Sequence, residues 1–343
     1  MKYRTLGGTG LQVSELCLGT LMLSAWGKNT FDDSDNIIQR ALSLGINYFD
    51  TADSYSRGES ETFLGRSLKK SKKRDRVIIA TKVNSPMGAD PNSRGSSRRW
   101  ITKAVEESLR RLDTDWIDIY QLHRPDPNTE LSETISTLQD LVQAGKIRYF
   151  GTSTFPITTL MQSQWIAETS KRARPMVEQP PYSILARDIE REILPFCEQY
   201  KVGASVWSPL AGGWLAGKIN SGSDVATERS RYWGDRYDMS KPVNQTKLRI
   251  VQQLSQACAK FDIQLNVAAI AFVLNHPGVA SAIIGPRTIS HLEATIQSVD
   301  TQLPAELLDI IDEIVPPGTT VSDDDRGYLP PAITDSNLRR RNG

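Results

Sequence analysis

Apolar residues along the chain gather into short runs, separated by longer stretches in which apolar and polar positions mix. The runs at 16–18, 47–49, 77–82, 117–122, 147–152, 176–179, 202–207 and 282–284 are close to continuous in character. That pattern predicts strands buried on both faces, where strict alternation is not required. The stretches at 34–44, 59–69, 97–112, 131–143, 158–171, 188–200 and 290–299 read as helices. In 97–112, for example, Ile101, Val105, Leu109 and Leu112 follow one another at spacings of three and four. Repeated strand–helix alternation suits either an open doubly wound sheet or a closed barrel. Eight strands favour an α/β fold of the (β/α)8 TIM-barrel type. A doubly wound nucleotide domain also wants a G-x-G-x-x-G turn directly after a strand. The nearest candidate, Gly7-Gly8-Thr9-Gly10, has Val13 where the third glycine belongs and precedes the first convincing strand. It reads better as the turn of an N-terminal β-hairpin plugging the barrel floor.

Three pieces interrupt the repeat: a polar loop at 84–99, a long insert at 217–245 rich in Arg, Ser and Gly, and a proline-bearing tail from 316 that runs to Arg339-Arg340-Arg341. Loops of this length in a compact fold are usually functional or disordered. In a barrel, the loops after the strands line the catalytic face, so all three pieces are expected over the mouth. No stretch resembles a linker, and residues 1–343 are expected to form one barrel domain.

Composition narrows the partners. Lys and Arg number 41 against 40 Asp and Glu. Such balance creates no overall field for nucleic acid or an anionic membrane, so an anionic ligand must be met locally. The first residues lack a signal peptide's apolar run, and no apolar stretch reaches the ~18 residues of a membrane span. Cys17, Cys197 and Cys258 form no C-x-x-C pair and read as reduced, packed thiols of a cytoplasmic protein. His123, His276 and His291 do not stand at metal-ligand spacing, so no zinc site is expected.

The chemistry concentrates where the predicted strands end. The second run leads into Asp50-Thr51-Ala52-Asp53-Ser54-Tyr55, the third closes on Lys82, the fourth on His123, the fifth on Ser153-Thr154 and the sixth on Gln179. Each has a structural alternative: His123 as a satisfied core histidine, Asp50 as a turn cap, Lys82 as a side chain reaching outward. Together at consecutive strand ends they form a proton-donor constellation. A tyrosine titrates near pH ~10, a lysine cation beside it lowers that value, and a histidine can hydrogen-bond the same oxygen. Asp50 would keep Lys82 charged in a half-buried mouth.

The segments GINYFDTADSY (45–55), IIATKV (78–83), DIYQLHRPD (118–126), GKIRYFGTS (145–153), VWSPLAGG (206–213) and SAIIGPRTISHLE (281–293) resemble the aldo-keto reductase superfamily in order and along nearly the whole chain. The resemblance implies a catalytic tetrad of Asp50, Tyr55, Lys82 and His123. It implies reduction of a small aldehyde or ketone by NADPH, with Tyr55 as general acid. It also implies an extended NADP(H) across the mouth. Gly19, Thr20 and Asp50 would lie beside its nicotinamide ribose, Ser153 and Gln179 at the carboxamide, and Trp207 under the ring. Ser208, Leu210, Gly212 and Lys218 would wrap the pyrophosphate. Gly285 and Arg287 would take the 2′-phosphate, since a helix N-terminus carrying an arginine suits that anion. Trp207 has an alternative as a core tryptophan and Arg287 as a solvated surface charge.

The chain departs from the family pattern at Thr154, where many members have asparagine. It departs again around the adenine at His291, Ala294 and Thr295, where Gln, Glu and Asn are common; His291 stays a candidate there. Trp26 and Trp233 are candidate substrate walls, or packing between loops. Some relatives of this fold, such as potassium-channel β-subunits, hold the cofactor chiefly as a redox-sensing module, and that is the alternative function. A barrel enzyme that binds another phosphate at the last strand is a further one. Which carbonyl compound is reduced, and the oligomeric state, are not legible in the sequence.

Overall fold

The computed structural model describes residues 1–217, 230 and 232–340. Two short strands, β1 (Tyr3–Thr5) and β2 (Gln12–Ser14), pair antiparallel. Eight further strands follow: β3 (Leu16–Gly19), β4 (Tyr48–Asp50), β5 (Ile78–Val83), β6 (Ile117–Leu122), β7 (Ile147–Thr152), β8 (Val177–Glu178), β9 (Gly203–Trp207) and β10 (Val279–Ile284). They are parallel and close into a barrel in the order β10-β3-β4-β5-β6-β7-β8-β9. The helices outside are α1 (Phe31–Ser43), α2 (Glu59–Ser71), α3 (Arg98–Leu112), α4 (Leu131–Gln143), α5 (Ile157–Ser170), α6 (Ile193–Tyr200), α7 (Pro242–Ala259), α8 (Leu265–Asn275), α9 (Ile289–Ile296), α10 (Ala305–Ile314) and α11 (Pro331–Thr334). This is the expected (β/α)8 barrel.

The β1–β2 hairpin plugs the floor, as its turn residues predict. Gly7 has φ +53°, and a Cβ there would sit 2.4 Å from the Gly203 amide nitrogen. Only glycine allows that approach of one backbone to another. Leu6 and Val13 of the plug pack with the inward residues Cys17, Tyr48, Ala80, Ile119 and Val177. Neighbours such as Leu16, Leu18, Phe49 and Ile79 turn outward into the larger core beneath the helices. The alternation follows from the period of two along a strand. It sets the next inward layer as well: two residues beyond Tyr48, Ala80, Ile119 and Val177 come Asp50, Lys82, Gln121 and Gln179.

The structure adds helices that the sequence pattern does not reveal. α8 is buried on nearly every side, so it has no polar face to set a helical period. α7 begins inside the polar insert, with Pro242 in its first turn. α10 precedes the tail. The predicted helix at 188–200 is broken: Asp188–Glu190 form a 3-10 turn and α6 starts at Ile193. Pro195 sits in the first turn of α6 and cannot stand inside a longer helix, so the helix starts just before it, and the tail engages the preceding turn. The Arg187 amide donates to Thr319 O at 2.8 Å, and Arg326 reaches the Asp188 carboxylate at 2.5 Å. No described helix is long and apolar enough to cross a membrane. The three cysteines are free and buried.

Candidate active site

At the mouth, the upper inward layer forms one bonded group. Lys82 Nζ donates to both Asp50 carboxylate oxygens, at 2.8 and 2.7 Å, to Thr51 O at 2.8 Å and to the Tyr55 hydroxyl at 3.2 Å. The lysine is fully buried and Asp50 nearly so. Gln179 Nε2 donates to Asp50 Oδ1 at 2.7 Å and to Gln121 Oε1 at 3.2 Å. Asp50 is thus bonded by both the Lys82 ammonium and the Gln179 amide, which is how a buried carboxylate is held without an uncompensated charge. Tyr55 begins a turn in which Ser56 and Arg57 adopt φ of 47° and 56°. The ring of His123 stands edge-on to Tyr55, with centroids 5.8 Å apart.

The electrostatics differ from the simplest expectation. Burial raises the Tyr55 pKa above its ordinary value, and the Lys82 charge only partly offsets that rise. The phenol therefore holds its proton at neutral pH. Burial pulls the Lys82 ammonium down, but Asp50 and Tyr55 together lift it above its ordinary value. His123 is pushed well below the usual histidine range by burial, then by the Lys82 and Arg124 charges. It is a neutral imidazole, and its sealed Nδ1 has no partner among the described residues.

Around this group lie the other residues singled out by sequence. Ser153 Oγ donates to Gln179 O at 3.0 Å. The Thr20 hydroxyl meets Ser60 Oγ at 2.6 Å and Asp50 O at 3.1 Å, pinning the end of β3 to β4, directly beyond Gly19. Trp207 is half-buried at the end of β9, its indole nitrogen 3.4 Å from Thr154 Oγ1. The loop after it is tightly wound, with positive φ at Ser208, Ala211, Gly212 and Gly213. Leu210 O accepts from the Gly213 amide, and Gly212 O accepts from the Tyr237 hydroxyl at 2.9 Å. Lys218 lies outside the described residues. Gly285 is exposed at the end of β10, and Arg287 is half-exposed with no acidic partner among the described residues. Thr288 caps α9 by accepting from the His291 amide at 3.2 Å.

Trp26 stands 6.3 Å from Tyr55, 6.4 Å from Trp233 and 5.8 Å from Tyr232 by ring centroids. Trp26 thus packs beside Tyr55 and also meets Trp233. The two tryptophans are joined by Tyr232, which sequence reasoning missed because nothing in a polar insert marks one tyrosine above another. The tail adds a second missed contact. Gly327 has φ +75°, and a Cβ there would lie 2.6 Å from the Trp207 ring. Glu178, on the outward side of β8, is fully buried. It accepts from the Phe155 amide at 3.2 Å and is bonded to the Thr152 hydroxyl, so it holds the loop that carries Ser153 and Thr154. Burial lifts its carboxyl to about 7, against those hydrogen bonds. Among the described residues no cluster of three or more His, Cys, Asp or Glu is placed to hold a metal ion.

The family model described as "Aldo/keto reductase family" matches residues 15–316. The chain is 36% identical over 327 residues to a Bacillus subtilis protein named Uncharacterized oxidoreductase YrpG, covering 92% of this chain and 96% of that protein. It is 34% identical over 303 residues to Aldo-keto reductase YhdN of the same organism, covering 86% and 87%. It is also 34% identical over 324 residues to a Schizosaccharomyces pombe protein provisionally named a voltage-gated potassium channel subunit beta, covering 91% and 93%.

Proposed function

The chain belongs to the aldo/keto reductase family, a family of oxidoreductases, and from that premise we propose that it reduces an aldehyde or ketone to the alcohol at the expense of NADPH, with Tyr55 as the proton donor. One observation carries the reading: a protonated Tyr55 hydroxyl 3.2 Å from a buried lysine cation, beside a neutral histidine, at the open end of a barrel. The residues present fit the cofactor. Trp207 leaves part of its ring uncovered at the mouth, a Cβ at Gly213 would meet nothing within 4 Å, and Arg287 has no acidic partner among the described residues. NADPH bound there supplies the hydride. Ser153 and the free Oε1 of Gln179 would fix the carboxamide, the 208–213 loop the pyrophosphate, and Arg287 the 2′-phosphate.

The chain's own part is proton transfer and charge stabilisation. Tyr55 and His123 hydrogen-bond the substrate oxygen, and Tyr55 yields its proton as negative charge grows there. The phenolate left behind faces Lys82, whose charge Asp50 sustains. Burial, which raises the Tyr55 pKa, keeps the donor loaded before the reaction; Lys82 lowers the cost of unloading it. Trp26, Tyr232 and Trp233 wall the space above Tyr55. Purified protein with NADPH and a panel of reactive aldehydes, such as nitrobenzaldehydes, followed by cofactor absorbance, tests the proposal. Turnover supports it, and tight NADPH binding without turnover of any member contradicts it. The likeness to a protein named as a channel β-subunit favours a second reading, a cofactor-holding subunit of a membrane complex, and that same silent binding is what it predicts.

A further inference from the structure

Arg124 follows His123 directly and is half-buried at the mouth, yet among the described residues no carboxylate pairs with it. Its Nη1 donates to His123 O at 2.5 Å and approaches Ser153 Oγ at 3.4 Å. Its guanidinium stands 6.0 Å from the centre of the Trp207 ring. Among the described residues Nε and Nη2 have no acceptor, and neither is sealed from solvent. The nearest acid in field, Glu178, has its oxygens engaged by Thr152 and Phe155 and forms no ion pair with Arg124. Among the described residues, the buried cations are each matched: Lys82 by Asp50, Arg187 by Glu190 and Asp312, and Lys247 by Asp325. A half-buried arginine whose free donors open onto the mouth and face no protein carboxylate is placed to take an anion from a ligand. The Nε–H and one Nη2–H lie side by side on a planar, tethered fork and match the two oxygens of a carboxylate.

We propose that Arg124 is the specificity-determining residue of this site and selects aldehydes or ketones that carry a carboxylate. The inference rests on the proposed carbonyl reduction and deepens it. With the carbonyl oxygen at Tyr55 and His123, the substrate's acid group turns toward the ends of β6 and β7, where Arg124 waits beside Ser153. The body between the two groups lies against the aromatic wall of Trp26, Tyr232 and Trp233, which suits a flat ring.

The test compares 2-, 3- and 4-formylbenzoate, each with its neutral amide of the same shape, in wild type and Arg124→Met. In wild type at least one acid is expected to exceed its amide in kcat/KM by tenfold or more, and in Arg124→Met that ratio should fall at least tenfold. Arg124→Lys, which keeps the charge, should retain a preference of the same sign. The NADPH Kd, read by quenching of tryptophan fluorescence, should shift far less than the substrate ratio does. No acid preference in any pair, a preference that survives Arg124→Met, or an Arg124→Lys that behaves like Arg124→Met overturns the proposal. So does a loss of NADPH affinity as large as the loss of acid preference, which would make Arg124 a cofactor contact. Should the Met variant not fold, titration of wild-type protein with NADP+ by benzoate and by benzamide decides the same question. Tighter benzoate binding, weakened by salt, supports Arg124, and equal binding overturns it. If no aldehyde turns over at all, the reduction reading fails, while the benzoate titration still reports on Arg124.

Discussion

The lower and upper layers of the barrel interior come from the same strands, two residues apart, and are held by opposite means. Below, Cys17, Tyr48, Ala80, Ile119 and Val177 close against Leu6 and Val13 of the hairpin, and the layer is almost wholly apolar. Above, Asp50, Lys82, Gln121 and Gln179 are just as deeply buried but are held by hydrogen bonds and one ion pair. Burying a charge pair is rarely favourable for stability compared with apolar packing. A fold that accepts this in one layer and avoids it in the next fits the proposal that the polar layer serves chemistry. The comparison teaches that depth along a strand, rather than burial, separates the apolar layer from the polar one.

The sharpest break between the layers should come from Tyr55→Phe. The ring and its packing stay, the donor proton goes, and kcat should fall about 10²–10⁴-fold, the scale of losing general acid catalysis. Steady-state kinetics check this, with thermal unfolding expected to move little. Near-normal turnover would remove Tyr55 from the donor role. In the lower layer, Leu6→Ala should do the reverse. Deleting a fully buried leucine side chain costs roughly 2–5 kcal/mol, measurable by denaturant unfolding, while kcat per folded molecule stays at the wild-type level.

Glu178→Gln tests a residue outside both layers that supports the upper one. The folded-state pKa of Glu178 is about 7, above the ordinary 4.5, so the folded protein binds this proton more tightly than the unfolded chain does. Its contribution to stability is full below about pH 4.5 and is lost as pH rises through 7. The shift corresponds to an effect on the order of 3 kcal/mol at most. Wild type should therefore lose melting temperature between pH 5 and 8 relative to Glu178→Gln, whose amide can keep the Phe155 and Thr152 bonds without titrating. Parallel pH profiles for the two proteins would contradict this. Arg287→Ala should have the smallest effect: a Kd for NADPH raised at least tenfold, from the loss of one charge-assisted hydrogen bond of roughly 1.5–3 kcal/mol, with NADH changed less than about threefold. Equal weakening of both cofactors would make Arg287 a support for its loop rather than a reader of the phosphate.

The strands were legible because burial on both faces leaves continuous apolar runs, and the upper layer because Asp, Lys and His break those runs at their ends. The hairpin plug was legible from its glycines. α8 was not, because a helix buried all round has no amphipathic period; the break before α6 was legible in Pro195, which the helical pattern at 188–200 overran, while the tail's contacts with that turn were not. At the site, the sequence singled out Asp50, Tyr55, Lys82 and His123, and the structure brings these four together. The balance of charges on Tyr55 was not legible: sequence shows a lysine nearby but cannot weigh its field against burial. Gly327 against Trp207 and Tyr232 beside Trp26 are likewise products of long-range folding. Arg124 stands within the fourth-strand motif, and the role proposed for it rests on its three-dimensional setting, where no described acid pairs with it.

The central claim is that this mouth carries hydride to a carbonyl carbon while Tyr55 protonates the oxygen. NADPH deuterated on the transferred face of nicotinamide C4, incubated with the protein and an aldehyde, tests it directly, with the alcohol product analysed by mass spectrometry. Each molecule of alcohol should carry one deuterium on the carbinol carbon, and Tyr55→Phe should form that labelled alcohol at least a hundredfold more slowly. Alcohol without label from either deuterated face, or no alcohol from any aldehyde despite bound NADPH, would contradict the account.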